Sequence, residues 1–157
     1  MKMIARRTLI VGALCAAVPA RAAPQDIARA LLAATNSARA GKGLPPVSWN
    51  QRLARAGQQQ AKAMLQSSNL SHTAGGTGLT ARARHVGYRY GRITENIAWL
   101  SRRSATEAEI AGAIHSMWMN SAGHRQNILD RRVTEIGIGV ARSGSSTYAA
   151  QVFGRPI

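Results

Sequence analysis

The sequence predicts an α+β fold, with helices first and a small antiparallel sheet last. Up to Leu129, apolar residues recur in several segments at the spacing of an α-helix. After Leu129, apolar residues alternate with glycine and alanine, and a glycine- and serine-rich turn at Ser143–Ser146 separates two such runs. The second pattern indicates a β-hairpin, and helices followed by an antiparallel sheet are typical of α+β domains.

The first 22 residues have the composition of a secretory signal peptide. Basic residues precede a mostly apolar stretch, residues 8–20, which is shorter than the roughly twenty residues of a membrane span. Ala20-Arg21-Ala22 is a small-x-small cleavage site. We expect 1–22 to be removed, leaving one exported domain at 23–157 without a transmembrane anchor, in the periplasm or the medium. The pair Arg6-Arg7 leaves the twin-arginine and general secretory routes both open.

The cysteine count and the net charge limit the chemistry of this domain. Cys15 is the only cysteine and lies in the leader, so the mature domain has no disulfide and no cysteine metal ligand. The chain has 21 Lys and Arg against 6 Asp and Glu, a net charge of +15; without the four basic residues of the leader, 17 against 6 leaves +11. Paired arginines occur at Arg82/Arg84, Arg89/Arg92, Arg102-Arg103 and Arg131-Arg132.

Such a charge favours an anionic partner. In an exported protein this is a lipid, an anionic envelope polymer or an acidic protein, and we expect no nucleic-acid partner because aromatic and basic residues are not interleaved. The alternative is that the arginines form a solvated surface that keeps the domain soluble.

Three helices are predicted before residue 90. Ile27, Leu31 and Ala34 recur at helical spacing and predict a helix over Pro24–Ala40, with Pro24 in its first turn. Trp49 and Asn50 open a second helix that runs to about Ser67. After a flexible connector at Gly75–Gly78, a short third helix is expected over Leu79–Val86.

Residues Gly87–Thr94 are expected to form a loop or a short extended piece that leads into Glu95. A fourth helix begins with a capping box at Ser104–Glu107. In this helix an apolar face is formed by Ile110, Ile114, Met117, Trp118 and Ser121. Gly123 ends the helix and places His124 just beyond it; the alternative is that Gly123 is only a helix-terminating glycine and His124 complements the helix dipole.

The last elements are strands. Ile136, Ile138 and Val140 predict one arm of the hairpin and Tyr148–Phe153 the other.

Several motifs in order along the chain resemble one known family. They are Asn36-x-x-Arg39, Gly43-Leu44-Pro45-x-Val47-x-Trp49, Leu70-Ser71-His72, Glu95-Asn96-Ile97-Ala98, Trp118-Met119-Asn120-Ser121-x-Gly123-His124-Arg125-x-Asn127-Ile128-Leu129, Glu135 to Val140, and Gln151-Val152-Phe153-Gly154. The sequence is similar to the CAP superfamily of cysteine-rich secretory proteins, antigen 5 and pathogenesis-related proteins, in its bacterial SCP-like branch. The resemblance implies an α-β-α sandwich in which helices flank a central antiparallel sheet.

The resemblance also implies a cavity with two histidines and two acidic residues, which binds zinc or another divalent ion in some members. The matching residues are His72, His124 and Glu95, and Ser121 stands where the second acid would be. Two imidazoles and a carboxylate are a plausible zinc ligand set, with His72 and His124 as the candidate metal ligands. The alternative is a buried polar network in which the same residues hold loops around the sheet.

Other residues are assigned structural roles. The resemblance gives no site role to His85 or His115, and His115 is expected to face solvent or contact the side of its helix. Asn96 and Asn127 are expected to hydrogen-bond loops. The three tryptophans, Trp49, Trp99 and Trp118, are expected in the core or in the cavity wall.

These residues favour an exported binding module over an enzyme. In this interpretation the cavity of His72, Glu95, Ser121 and His124, together with the basic surface, engages an envelope component, a lipid or a protein. One alternative is a divalent-metal-dependent hydrolase or protease that uses His72, Glu95 and His124. Another is an envelope interaction protein with a vestigial cavity. The ligand and the oligomeric state are left open by the sequence.

Overall fold

The computed structural model describes residues 23–157, so the predicted leader lies outside the described residues. This part of the chain folds into five α-helices and four strands, with a 3₁₀ turn at Ala74–Gly76. The helices are α1 (Pro24–Ala40), α2 (Gln51–Ser67), α3 (Leu79–His85), α4 (Glu107–Asn120) and α5 (Ala122–Ile128). The strands are β1 (Ser48–Trp49), β2 (Tyr90–Ser101), β3 (Glu135–Ser143) and β4 (Ser146–Pro156).

The four strands form one sheet in the order β1-β3-β4-β2. β3 and β4 are the predicted hairpin, in which Val140 lies opposite Ala149. β2 runs antiparallel along the other side of β4 and places Ile97 opposite Ala150. β1 adds only two residues, parallel to the start of β3. The predicted α+β fold, with helices on both sides of an antiparallel sheet, is confirmed.

Helices cover both faces of the sheet. α2 packs against β3 and β4 on one face; α1 packs against β3 on the other face and along α4, which contacts β2. The larger core lies between the sheet and the α1–α4 layer, where Leu31, Ile114, Trp118 and Phe153 are fully buried. Burial of such side chains stabilises each by about 1.5–3 kcal/mol relative to exposure.

α2 approaches β3 closely because glycines form the strand face beneath it. A Cβ built on Gly137 would lie 2.0 Å from the backbone nitrogen of Ala54, and one on Gly139 would lie 2.1 Å from that of Gln58. The residues between these glycines, such as Ile138, belong to the core on the α1 side. The glycines of β3 therefore face α2, and the apolar residues that alternate with them face the α1 side of the sheet.

Two polar residues of α1 fix the loops that follow it. Asn36 exchanges a pair of hydrogen bonds with the backbone of Val47, at 2.9 and 3.1 Å. Arg39 is buried and donates to the carbonyl oxygens of Pro45, Ile128 and Asp130, each at 2.9 Å. The motif Asn36-x-x-Arg39 thus satisfies backbone groups that would otherwise be buried without partners.

Two helix starts differ from the sequence prediction. α2 begins after Asn50, whose Oδ1 accepts from the backbone nitrogens of Arg52 and Leu53 at 2.9 and 3.2 Å. Trp49 does not open the helix; it belongs to β1 and is 42% exposed. The capping box of α4 is formed by Thr106 and Glu109.

The predicted capping box at Ser104–Glu107 is therefore wrong by two residues. The sequence contains two overlapping frames with a hydroxyl residue followed three positions later by glutamate. The later frame is used, so the helix starts at Glu107, and Ile110 is its first buried residue.

The region around Gly123 also differs from the prediction. α4 ends at Asn120, extended backbone at Ser121 (φ −98°, ψ 124°) separates the helices, and α5 contains both Gly123 and His124. The expectation that Gly123 ends a helix, in either of its interpretations, is wrong. Ser121 is partly exposed, and Met117 is 44% exposed.

The length of β2 was not evident from the sequence. The loop or short extended piece expected over Gly87–Thr94 is, from Tyr90 onward, part of a strand of 12 residues. Four consecutive residues, Glu95 to Ala98, are buried, since both faces of this strand are covered. Continuous burial removes the alternating pattern by which a half-exposed strand is recognised.

None of the helices within residues 23–157 combines the length and the hydropathy that a membrane span requires.

Candidate functional site

Glu95 is the centre of a buried ionic cluster on β2. Its side chain is 1% exposed, and both of its carboxylate oxygens accept hydrogen bonds. Oε1 lies 2.9 Å from Nδ1 of His72, and Oε2 accepts from Nη2 of Arg82. The structure therefore brings together two predicted site residues and adds Arg82 to them.

Arg82 holds the loop that carries His72 as well as the carboxylate. It extends from α3, is 3% exposed, and its Nη1 donates to the carbonyl oxygens of His72 (3.0 Å) and Thr77. The interpretation of Arg82 and Arg84 as a surface pair is wrong for Arg82, whereas Arg84 is exposed. Because α3 has only seven residues, its sequence is too short for periodicity to identify a buried face.

The His72 side chain is partly open to solvent. Its side chain is 54% exposed even though Nδ1 is engaged by Glu95. Since a carboxylate can only accept, Nδ1 carries the proton and Nε2 of the neutral ring is left as a hydrogen-bond acceptor. The carboxylate thus fixes both the tautomer and the orientation of His72.

His124 is held beside this cluster by a network of side-chain amides. Its carbonyl oxygen accepts from Nδ2 of Asn96 at 3.1 Å, and Asn127 donates to Oδ1 of Asn96 at 2.8 Å. Asn96 also donates to Gln151 of β4. Asn96 and Asn127 were expected to hydrogen-bond loops; their partners instead lie in α5 and on β2 and β4, so the network attaches α5 to the sheet.

The electrostatic surroundings of His124 favour its neutral form. Burial lowers the pKa of His124 below its ordinary value of 6.5, and the charge of nearby His72 lowers this pKa further. At neutral pH the imidazole of His124 is uncharged and has a nitrogen lone pair available.

Ser121 takes no part in the ionic cluster. It lies between α4 and α5, and its side chain makes no capping hydrogen bond at the start of α5. Within residues 23–157, no hydrogen bond joins Ser121 to Glu95 or His124. The arrangement of nucleophile, base and orienting acid required by a serine hydrolase is not formed by these side chains.

The three-ligand metal site suggested by the sequence does not fit this geometry. No group of three or more His, Cys, Asp or Glu side chains in the described part of the chain is placed to hold a metal ion. Glu95 is inaccessible and is already paired with Arg82 and His72. Only the two imidazoles, His72 and His124, remain as donors, and a structural or catalytic zinc site uses three or four protein ligands.

The remaining histidines and tryptophans are placed as follows. His115 is partly buried on α4, and burial lowers its pKa. Trp118 is buried and donates to the carbonyl oxygen of Ile97 at 2.9 Å, as expected of a core residue. Trp49 and Trp99 do not belong to the core, since they are 42% and 44% exposed, and Trp49 lines the larger of the two recesses described next.

Two recesses of the described surface, of about 390 and 900 Å³, lie elsewhere. Neither is lined by His72, Glu95, Ser121 or His124. We use the name histidine cleft for these four residues, which the family resemblance assigns to one cavity.

Comparison with known proteins agrees with this architecture. The cysteine-rich secretory protein (CAP) family matches residues 32–153. The uncharacterized protein YkwD of Bacillus subtilis (strain 168) is 32% identical over 112 residues, which are 71% of this chain and 41% of that protein. The chain therefore spans about two fifths of the length of this curated relative.

Solved structures have the same fold. An extracellular protein with an SCP domain from Bacillus anthracis str. Ames superposes with a TM-score of 0.70 at 27% identity, over 84% of this chain and 41% of that one. An outer surface protein of Borrelia burgdorferi superposes with a TM-score of 0.71 over 85% of this chain and 94% of its own. At 16% identity the second likeness shows the fold alone.

Helices that cover both faces of a small sheet form a CAP-type α-β-α sandwich, and here Glu95 of β2 pairs with His72 of the loop after α2. The match to residues 32–153 extends over most of the chain. The chain belongs to the cysteine-rich secretory protein family.

Proposed function

We propose that this chain is an exported, non-enzymatic binding module that holds an anionic polymer of the cell envelope. The histidine cleft and the exposed arginines Arg102, Arg103 and Arg131 are the binding elements. Export is supported by the predicted leader at 1–22 and by the extracellular relative from Bacillus anthracis.

The observation that carries this proposal is the state of Glu95. A general base or a nucleophile needs an accessible atom within reach of substrate. The carboxylate of Glu95 is buried, with one oxygen bound by His72 and the other by Arg82. Its role is to orient His72 and to anchor α3, and this supports recognition rather than turnover.

The charge distribution favours an anionic ligand. All six acidic residues lie in the described part of the chain and contact a donor there: Asp26, Glu95, Glu107, Glu109, Asp130 and Glu135. Within residues 23–157, arginine side chains pair with Asp26, Glu95 and Asp130, and exposed cations outnumber the three remaining carboxylates. Arg102, Arg103 and Arg131 are exposed, and their field attracts polyanions at low ionic strength.

Binding of poly(glycerol phosphate), a polyanion without apolar groups, tests the proposal. We expect saturable binding that weakens with salt and that weakens further in His72→Ala/His124→Ala. Affinity should rise as the pH falls below the ordinary histidine range, because the polymer favours the charged form of His124. His85→Ala is the matched control, since His85 is exposed and does not belong to the cleft.

Three results would count against the proposal. Binding that does not depend on salt excludes the basic surface as its source. Binding that is unchanged in the double histidine variant but weakened in Arg102→Gln/Arg103→Gln assigns recognition to the surface alone, with a vestigial cleft. An equal loss in His85→Ala excludes a specific role for the cleft.

A divalent-metal-dependent hydrolase is the second candidate function. It is supported by the sequence motifs that place His72, Glu95 and His124 in one predicted site, of which the two imidazoles remain as donors. If a metal binds, His72 and His124 would hold it, and it would supply a Lewis acid. Zinc titration of wild type and of the double histidine variant tests this: pH-sensitive binding that is lost in the variant supports it. Turnover that survives alanine at His72, Glu95 and His124 excludes it.

A further inference from the structure

Trp99 is an exposed aromatic residue on β2, which forms one edge of the sheet. Its side chain is 44% exposed, although the four residues before it, Glu95 to Ala98, are buried. Its ring system contacts Tyr148 of β4, with 6.4 Å between the ring centroids and 38° between the ring planes. Tyr148 is buried in a core cluster with Met64 and Ile97. The core therefore holds the indole in place, and the rest of its surface is open to solvent.

The polar groups of Trp99 are also available to a ligand. Glu95 and Ile97 direct their carbonyl oxygens away from β4, where Asn127 and Trp118 donate to them. Because this direction alternates along a strand, Trp99 also directs its backbone N–H and C=O away from β4. Within residues 23–157, no side chain is recorded as bonding these two groups, and the indole N–H has no recorded acceptor. Hydrogen-bond donors and an acceptor thus lie beside the aromatic face.

Two unpaired arginines follow Trp99 along the chain. Arg102 and Arg103 are exposed, and neither belongs to an ion pair recorded in the described part of the chain. The backbone nitrogen of Arg102 donates to the carbonyl oxygen of Ser145 at 2.9 Å, and the hydroxyl oxygens of Ser101 and Ser145 lie 3.2 Å apart. These contacts fix the backbone of Arg102 to the turn between β3 and β4, about 10 Å from Trp99 along the strand.

The histidine cleft lies in the other direction along the same strand. Because side chains alternate between the faces of a strand, Glu95 and Trp99 share one face of β2 and lie about 13 Å apart. Glu95 binds His72 on that face. β2 therefore places the histidine, the indole and the arginine pair in a row, which suits an extended polymer better than a compact small molecule.

We propose that Trp99 binds a sugar ring of an acidic polysaccharide, one whose sugars carry carboxylate groups. The C–H groups on one face of a sugar ring carry partial positive charge and pack against the electron-rich face of an indole. The backbone groups of Trp99 bond sugar hydroxyls, and Arg102 and Arg103 pair with carboxylates, which the planar guanidinium matches. An acidic peptide would match the arginines alone. This inference rests on the function proposed above and names the class of envelope polymer.

Calorimetric titration of the full exported protein with hexagalacturonate, at low ionic strength, tests the proposal. We expect saturable binding that weakens roughly fivefold to tenfold in Trp99→Ala, because the stacking contact is lost, and by less in Trp99→Phe, which keeps an aromatic face. Trp49→Ala is the matched control and should leave the affinity unchanged, since Trp49 is 42% exposed on β1, at the opposite edge of the sheet. Thermal unfolding of each variant measures whether the fold is retained.

Two further probes separate the sugar ring from its charge. Hexaglutamate has the same number of side-chain carboxylates without sugar rings, and its binding should not change in Trp99→Ala. Maltohexaose has the rings without the charge and should bind more weakly than hexagalacturonate. In Trp49→Phe, indole fluorescence reports stacking on Trp99, because the third tryptophan, Trp118, is buried. Hexagalacturonate should shift this emission and hexaglutamate should not.

Five results overturn the inference. They are absence of saturable hexagalacturonate binding, unchanged affinity in Trp99→Ala, an equal loss in Trp49→Ala, equal affinity for maltohexaose, and an equal loss of hexaglutamate binding in Trp99→Ala. The last result would assign this surface to an acidic protein partner. A failure of the function proposed for the cleft is measured separately, as poly(glycerol phosphate) binding that is unchanged in His72→Ala/His124→Ala.

Discussion

Arg82 donates from both terminal nitrogens, one to Glu95 and the other to the carbonyl oxygens of His72 and Thr77. One side chain therefore connects α3, β2 and the loop after α2. A buried ion pair costs desolvation, which good geometry and further hydrogen bonds offset. The pair thus specifies where His72 is placed and does not act simply as a source of stability.

Removing the arginine leaves the carboxylate buried without its cation. We expect Arg82→Met to lower the free energy of unfolding by about 3–5 kcal/mol, which urea denaturation measures. Arg84→Met, on the same helix but exposed, is the matched control and should change it little. Adding Glu95→Gln to Arg82→Met should recover part of the loss. Equal effects at positions 82 and 84 would contradict the buried pair.

Asp130 is a second residue whose charge is fixed by arginines. Burial on its own raises the pKa of Asp130, but hydrogen bonds from the side chain and backbone of Arg132 and from Arg92 outweigh it and lower this pKa from 3.8 to about 2. The folded state therefore binds this proton less readily than the unfolded state does.

The contribution of Asp130 to stability is present above about pH 4 and is lost as the pH falls from about 4 towards 2. We expect Asp130→Asn to be less stable than wild type at pH 6 and to show a shallower decline over that acid range. Urea midpoints measured across pH provide the check. Asp26→Asn, which removes an exposed ion pair, is the control and should retain the slope of wild type.

At the residue scale, the pairing of His72 and Glu95 could be expected from the motifs, because family resemblance assigned both to one cavity. The inclusion of Arg82 could not. Whether an arginine is solvated or buried depends on what packs over it, and neither charge nor periodicity in a seven-residue helix contains that information.

Side chains protect both edges of the sheet. On β2, the indole nitrogen of Trp118 donates to the carbonyl oxygen of Ile97, and Asn127 donates to that of Glu95 at 3.4 Å. On β3, Gln58 bonds both backbone groups of Val140. An exposed strand edge can pair with a strand of another molecule, and these side-chain hydrogen bonds disfavour such pairing.

The start of α4 offers a direct test of the helix boundary. Thr106 caps the helix by accepting from the backbone nitrogen of Glu109, whose carboxylate accepts in return from Thr106. We expect Thr106→Ala to lower the free energy of unfolding by about 1 kcal/mol. Ser104→Ala removes the hydroxyl of the capping box predicted at Ser104–Glu107 and should have little effect on the free energy of unfolding. A larger loss at Ser104 in thermal unfolding would favour the earlier helix start.

The contact of α2 with β3 predicts an intolerance of any side chain at Gly139. A Cβ there would meet backbone atoms of Gly57 and Gln58, which cannot move as a flexible side chain can. We expect Gly139→Ala to cost about 3 kcal/mol or more, beyond the usual range for overpacking. Gly112→Ala, on α4 with open space around it, should be tolerated and is the matched control. Equal melting temperatures for the two variants would contradict this packing.

At the element scale, long periodic helices could be predicted and covered strands could not. α1 has the predicted bounds, Pro24–Ala40, and α2 ends at the predicted Ser67. β2 was missed because burial on both faces hides its period. The break between α4 and α5 was missed because it consists of one extended residue, Ser121, and glycine at 123 suggested a helix end at the wrong place.

For the whole molecule, the ordered motifs were sufficient to predict the α-β-α sandwich, because each matched a distinct element of one fold. The hydrogen bonds and the exposure of the cleft residues were not predictable, since these residues come from three separate segments. The larger recess, which Trp49 lines, was missed for the same reason: α1, α2 and β3 contribute to it only after folding.

Charge balance across the molecule determines how salt should affect stability. The domain at 23–157 has a net charge of +11, and most of its cations are exposed, whereas Glu95 and Asp130 are paired at buried positions. Salt screens exposed charges more strongly than buried pairs, so screening should mainly reduce repulsion among cations. If screening recovers about 1 kcal/mol, Tm should rise by about 3–6 °C between low and moderate ionic strength.

A variant without Arg102 and Arg103 distinguishes the screening of repulsion among cations from other effects of salt on stability. Arg102→Gln/Arg103→Gln should raise Tm at low ionic strength, because two exposed charges of the dominant sign are removed, and the gain should shrink as salt is added. Thermal unfolding at several sodium chloride concentrations measures both. A Tm of wild type that falls with salt would mean that ion pairs, among them Arg92–Asp130, outweigh repulsion among the exposed cations.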